Sequence, residues 1–118
     1  MWIVEYFRLP GDRQPVAEFI DNQSNYDAAK ILRGITLLEE FGPLLGMPHV
    51  RRMVGSDKLW ELRIRGRNNI SRVFFGQADN KLVLLHAIIK KSQKAPLRDI
   101  RLAEERFIQY LQERERDE

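Results

Sequence analysis

The chain has 118 residues, 43% of them hydrophobic, and a formal charge of +3, which suits a single domain over 1–118 with its own core. It has no cysteine, excluding a disulfide framework, a thiolate zinc site and a cysteine nucleophile, and its two histidines, His49 and His86, supply a histidine metal centre poorly. No apolar run approaches the roughly 18 residues of a membrane helix, and Met1-Trp2-Ile3-Val4-Glu5 lacks the basic start and apolar stretch of a signal peptide, so a soluble, cytoplasmic, membrane-free protein without a cofactor is expected.

Trp2 to Phe7, rich in β-branched and aromatic residues, predicts a first strand, broken at Pro10-Gly11-Asp12. Val16, Phe19 and Ile20 predict a short helix over Pro15–Asp21. Ala28, Ile31, Leu32, Ile35, Leu38 and Phe41 recur at helical spacing and predict a second helix over Asn25–Phe41, with Asn25 as N-cap and Gly42-Pro43 as its stop. Val50–Val54 reads as a short strand or extended arm carrying Arg51 and Arg52. Three strands follow, Leu59–Arg65, Ile70–Gly76 and Leu82–Ile89, the last apolar on both faces and therefore central. Pro96 opens a final helix with Leu97, Ile100, Ala103, Phe107 and Leu111 in register, fraying over the charged Gln112–Glu118. The sum is an α+β chain: a mostly antiparallel sheet with helices packed against one face.

Charge is unevenly placed. Residues 49–101 hold 13 Lys/Arg against 4 Asp/Glu, whereas residues 1–48 hold 4 against 7 and residues 102–118 hold 3 against 6. A basic block inside one domain is the footprint of a polyanion binder. It is patterned as well: Trp60, Leu62 and Ile64 alternate with Glu61, Arg63 and Arg65, so a strand there buries one row and presents a cationic one. A two-residue turn at Arg67-Asn68 pairs Arg65 with Ile70, Arg63 with Arg72, Glu61 with Phe74, Leu62 with Val73 and Trp60 with Phe75. Arg63 and Arg72 then repel across the hairpin unless an anion sits between them or Glu61 bridges to one of them. A second basic cluster, Lys90-Lys91-Ser92-Gln93-Lys94, follows the central strand. A regular two-residue turn at Asp79-Asn80 puts Ala87, Ile89 and Lys91 on the face of Arg72; a one-residue bulge substitutes His86 and Lys90.

His86, inside an apolar strand, has the setting of a satisfied core histidine, with proton transfer as the sharper alternative. No Gly-rich phosphate loop, metal-spaced carboxylate set or Ser-His-Asp arrangement is present. Strand-borne arginines beside lysines suit metal-free RNA cleavage. That chemistry needs a base for the 2′-hydroxyl, cations for the phosphate and an acid for the leaving oxygen. Arginine gives the bidentate phosphate contact, and a lysine crowded by cations has its pKa lowered.

Leu59-Trp60-Glu61-Leu62-Arg63, Arg72-Val73-Phe74-Phe75 and Leu84-Leu85-His86-Ala87-Ile88-Ile89-Lys90-Lys91-Ser92-Gln93-Lys94-Ala95-Pro96 resemble the HigB-like branch of the RelE/ParE toxin superfamily, toxins of type II toxin–antitoxin modules. The resemblance covers nearly the whole chain and is most specific from Leu85 to Pro96. It implies a RelE/ParE-like fold, with two N-terminal helices on one face of the sheet and a C-terminal helix. It implies a ribosome-dependent mRNA endonuclease neutralised by a cognate helix-turn-helix antitoxin, through which the pair binds operator DNA. Carried onto matching positions, the site comprises Arg63, Arg72, Lys90 and Lys91, with Lys94 on the RNA backbone. The strand pattern adds Arg65 and Arg67, the preceding arm adds Arg51 and Arg52, and Glu61 and His86 are candidates for proton transfer. Ala95 stands where such toxins often have a capping Thr, a loss worth about 1 kcal/mol. Two other functions fit the same resemblance: a ParE-like inhibitor of DNA gyrase, and a non-catalytic co-repressor that pairs with an antitoxin on DNA.

Overall fold

Period-two patterning from Leu59 to Ile89 builds the body of the sheet, and the computed structural model describes residues 1–117. The elements run β1 (Ile3–Tyr6), α1 (Pro15–Asp21), α2 (Asn25–Phe41), a 3-10 turn (Gly42–Leu45), β2 (Val50–Arg52), β3 (Leu59–Arg65), β4 (Ile70–Ala78), β5 (Lys81–Ile89) and α3 (Leu97–Asp117). The architecture is α+β: a five-stranded sheet in the order β1-β5-β4-β3-β2, antiparallel except where β1 runs parallel to β5. As its two apolar faces require, β5 is an interior strand. No helix among the described residues is long and apolar enough to cross a membrane.

The β3–β4 hairpin has the register expected from its turn, with Arg63 opposite Arg72 and Trp60 opposite Phe75. The Gly66 N–H closes the turn on the Asn69 carbonyl at 2.8 Å. The β4–β5 turn is also tight, Ala78 pairing with Lys81, and Asp79 takes φ 56°. Farther along, Phe75 pairs with Leu84 but Phe74 with His86, so Leu85 is an extra residue bulged out of β5. The bulge turns His86, Ile88 and Lys90 onto the face of Arg72.

Helices cover both faces of the sheet, not one. Val16 and Ile20 of α1 and Ile31, Ile35 and Leu38 of α2 pack on Leu62, Ile64, Val73, Phe75, Leu82 and Leu84. On the other side Ile100, Ala103 and Phe107 of α3 pack on Leu59, Phe74, Val83, Leu85 and Met53. Two apolar rows are therefore present, and the second runs into the row read from sequence as solvent-facing. Gly76 lets α3 sit close: a Cβ there would lie 2.6 Å from the Phe107 ring. The N-cap of α2 is Ser24 rather than Asn25, its hydroxyl accepting from the Asp27 N–H at 3.1 Å. In α3 the Pro96 carbonyl accepts the Ile100 N–H at 3.2 Å, so Ala95 lies one residue before the cap and the missing Thr hydroxyl is not a missing cap. Nor does α3 fray at Gln112: it continues to Asp117, held by an Arg114–Asp79 ion pair and by Tyr110 Oη donating to Glu5 Oε2 at 2.8 Å. The expectation for Glu118 lies outside the described residues.

Candidate active site

Alternation along β3 puts Glu61, Arg63 and Arg65 on the α3 side of the sheet. Pairing brings Arg51 of β2 beside Glu61 and Arg72 of β4 beside Arg63, and the Leu85 bulge adds Lys90. The helix α3 covers the Leu59–Phe74 end of this face and leaves the Arg63–Lys90 end outside its footprint.

The cationic row is only partly presented. Glu61 is 0% and Arg72 2% exposed. The Glu61 carboxylate accepts from Arg51 Nε at 2.7 Å through one oxygen and from Arg72 Nε through the other. Burial alone would push this carboxyl up, but the hydrogen bonds and charges of Arg72 and Arg51 outweigh it and hold it below the usual carboxylate range. Glu61 is thus an ionised clamp between two guanidiniums, with both oxygens engaged, and this is not the placement of a proton carrier. The Arg63–Arg72 repulsion expected from register is relieved because Arg72 turns to Glu61. Arg72 Nη2 also donates to the Gln93 carbonyl at 3.4 Å, tying the post-β5 loop to the sheet.

Three guanidiniums and one carboxylate leave a surplus of positive charge, borne mainly by Arg63. Its N–H donates to the His49 carbonyl at 2.8 Å, while its side-chain Nε is buried with no acceptor. A buried donor in that state carries a free-energy cost that an arriving anion removes. Lys90, half-exposed at the end of β5, donates its N–H to the Ile70 carbonyl at 2.8 Å. Its ammonium pKa is lowered, first by partial desolvation, then by the charges of Arg63, Arg72 and Arg51, with Glu61 opposing.

Lys91 and Lys94 are exposed on the loop after β5. With Arg72, Ile88 and the first turn of α3 they border a hollow of about 300 Å³. Arg65 is exposed and shares a second hollow, about 270 Å³, with Lys90 and the Gly66–Asn69 turn. Arg63, Arg65, Ile70, Pro48 and His49 line a third of about 300 Å³. Arg67 leaves the cluster: its guanidinium lies 4.8 Å from the Tyr26 ring centroid and its N–H donates to Asp27 Oδ1 at 2.9 Å, on the α2 side. Arg52 also leaves, lying 4.9 Å from the Trp60 ring centroid and donating to the Asp57 carbonyl. A cavity of about 490 Å³ at the β1 edge, bordered by Arg8 and Tyr110, holds none of these lysines or arginines.

His86 sits under α3. Its Nε2 is 2.8 Å from Asp99 Oδ1, its Nδ1 is 3.5 Å from Arg106 Nη1, and its ring stands edge-on to Phe74 at 5.9 Å. Burial lowers its pKa, with Arg106 adding to the effect and Asp99 opposing it. A neutral ring that donates from Nε2 to Asp99 and accepts weakly at Nδ1 from Arg106 satisfies both ring nitrogens, while Arg106 Nε, like Arg63 Nε, is buried with no acceptor. This is the core histidine, fastening α3 to β5. The contributions of Gln93, Asp99 and Arg106 were absent from the sequence reading. Asp99 falls one turn into an amphipathic helix, and only the bulge aligns it with His86.

The family model described as "Phage derived protein Gp49-like (DUF891)" matches residues 18–108, a span that takes in every residue of the cluster. No curated protein matches the chain.

Proposed function

The chain belongs to the phage-derived Gp49-like family, a family of RelE/HigB-type toxins consistent with the toxin of a toxin–antitoxin module, and from that premise we propose that it is a metal-independent mRNA endonuclease acting on the ribosome and silenced by a cognate antitoxin. The observation that carries this reading is the combination at one spot of an unpartnered arginine and a lysine of lowered pKa. Arg63 offers a buried donor without an acceptor, and Lys90 stands among the charges of Arg63, Arg72 and Arg51.

In the proposed reaction the scissile phosphate lies against Arg63, with the Arg72–Glu61–Arg51 clamp fixing the local field. Neutral Lys90 takes the proton of the 2′-hydroxyl, the 2′-oxygen attacks phosphorus, and the bond to the 5′-oxygen breaks. The products are a 2′,3′-cyclic phosphate and a 5′-hydroxyl, the leaving oxygen taking its proton from the ammonium of Lys91 or Lys94. Crowding by like charges enlarges the fraction of Lys90 in the basic form, which a general base requires. Arginines preorganised by buried partners stabilise charge as it develops on the phosphate without reorganising. Arg65 and the lysines of the loop hold the flanking backbone. Glu61 positions both arginines and stays ionised throughout; His86 acts only through the packing of α3.

The test is brief expression followed by mapping of transcript ends, with purified protein added to translating ribosomes in parallel. Cleavage that falls about 10²-fold or more in Arg63→Ala supports the assignment. Intact transcripts accompanied by DNA damage would show a gyrase inhibitor instead. Growth without arrest, with operator binding retained, would show a co-repressor.

A further inference from the structure

β1 is an edge strand with one neighbour, β5, to which it runs parallel. The Ile3 and Phe7 N–H groups donate to the Asn80 and Leu84 carbonyls at 3.0 and 2.9 Å. Alternation turns Glu5 the same way, so the N–H and carbonyl groups of Val4 and Tyr6 face away from β5, with no partner among the described residues. No proline, lysine or bulge guards Ile3-Val4-Glu5-Tyr6; its protection is its four-residue length. This open edge borders the cavity of about 490 Å³, which Val4 to Arg8 line together with Gln14, Tyr110 and Glu113. The cavity shares no residue with the cationic cluster.

Its field has the opposite sign. The pKa of Tyr6 is raised by burial and then by Glu39. That of Tyr110 is pushed up to about 12 by burial and then by Glu5, with Arg114 opposing and Asp79 adding. The one cation in the lining, Arg8, has Asp12 at 4.0 Å, and the exposed Glu113 carboxylate accepts from the Gln109 amide at 3.4 Å. Tyrosine rings beside carboxylates hold ammonium and guanidinium groups, and they repel phosphate. The open main-chain groups add a demand that a free amine does not meet, because they pair with another extended chain. A second copy of β1 fits poorly. The antiparallel register that uses Val4 and Tyr6 of both copies sets Glu5 directly opposite Glu5.

We propose that this cleft docks an extended basic segment of a partner protein, added as a sixth strand outside β1 of the five-stranded sheet. Main-chain bonds go to Val4 and Tyr6, and lysine or arginine side chains go to Glu113 and the tyrosine rings. The proposal stands apart from the cleavage reading, since none of its residues belongs to the proposed reaction.

The experiment uses the full chain and a labelled peptide of about ten residues alternating lysine with valine. Affinity is read by fluorescence anisotropy, and the Val4 and Tyr6 amides by hydrogen exchange followed with NMR. Expected are saturable binding, exchange at Val4 and Tyr6 slowed about tenfold or more, and affinity lowered about tenfold in Glu113→Lys, a change at an exposed helix position. A peptide N-methylated at alternate residues, which cannot pair along the strand, is expected not to bind. No binding at about millimolar peptide, or equal affinity in Glu113→Lys, overturns the proposal. So does unchanged exchange at Val4 and Tyr6 under saturating peptide, a readout on the wild type that needs no variant to fold. Spermidine that displaces the peptide, together with undiminished binding of the N-methylated form, would identify a site for small amines and refute strand addition. Protection of the two amides that grows with protein concentration in the absence of peptide would identify a second copy as the occupant and refute the basic partner.

Discussion

Glu61→Gln is the most informative single change in the molecule. The side chains are nearly isosteric, so packing against Phe74 is kept while the charge between Arg51 and Arg72 is lost. Arg72 is 2% exposed and cannot turn to water for compensation. An amide offers one acceptor oxygen where the carboxylate satisfied two guanidinium donors, and its NH₂ group points a donor at a donor. Breaking a buried pair from one side costs about 3–5 kcal/mol. Because the amide keeps one bond, about 3 kcal/mol is expected, and at about 4 °C per kcal/mol for a chain of this size the thermal midpoint falls by about 12 °C. Acid titration adds a second signature. The folded pKa of Glu61 lies below its unfolded value, so its contribution is fully present above the usual carboxylate range and is lost as pH falls through the folded value. Wild-type stability therefore declines below pH about 4.5 more steeply than that of Glu61→Gln. The assay is thermal and urea unfolding followed by circular dichroism at neutral and acid pH, with Glu18→Gln, at the exposed Arg13 pair, as a control that leaves the midpoint unchanged. A loss under about 1 kcal/mol in Glu61→Gln, the scale of a solvated pair, would refute the buried clamp.

Three further outcomes are expected. Lys90→Met lowers cleavage by about 10²–10⁴-fold and removes the alkaline rise of the pH–rate profile, a rise that in the wild type levels off below pH 10.5, the ordinary lysine value; an unchanged profile would exclude Lys90 as base. His86, neutral in the fold and lowered in pKa, contributes stability above its unfolded value that is lost as pH drops below about 6.5, so urea midpoints measured from pH 7.5 to 5 fall in the wild type and flatten in His86→Gln. Gly76→Ala brings a methyl against the Phe107 ring and costs about 1–3 kcal/mol by unfolding, with partial recovery when Phe107→Leu is added.

The parts of the fold that could be read from sequence are those where neighbouring residues determine the outcome. The β3–β4 register follows from a tight turn and strict alternation, and it brought Arg63 opposite Arg72 without any tertiary information. The phase of β5 could not be read, because Leu82 to Leu85 are all apolar and period two has no phase in a uniform run; the bulge at Leu85 decides between Lys90 and Lys91. The side taken by α3 was hidden for a related reason. Its apolar stripe is clear, but the surface that receives it is assembled from Leu59, Phe74, Val83 and Met53, one or two from each of several strands. Glu61 looked like a solvated residue in a polar row. It is buried because Arg51, ten residues before, and Arg72, eleven after, converge on it from the flanking strands.

The Leu85 bulge also bears on how such a chain changes length over evolutionary time. The residues on either side of it, Leu84 and His86, face consecutive partners on β4, Phe75 and Phe74. Loss of Leu85 would therefore rejoin two segments already in phase, moving neither the Asp79-Asn80 turn nor Lys90, at the cost of one fully buried side chain beneath α3. The bulge is thus a splice joint, a point where a single-codon insertion or deletion is absorbed locally. When relatives of this chain are aligned, a one-residue gap belongs there, ahead of the lysines it would otherwise misplace.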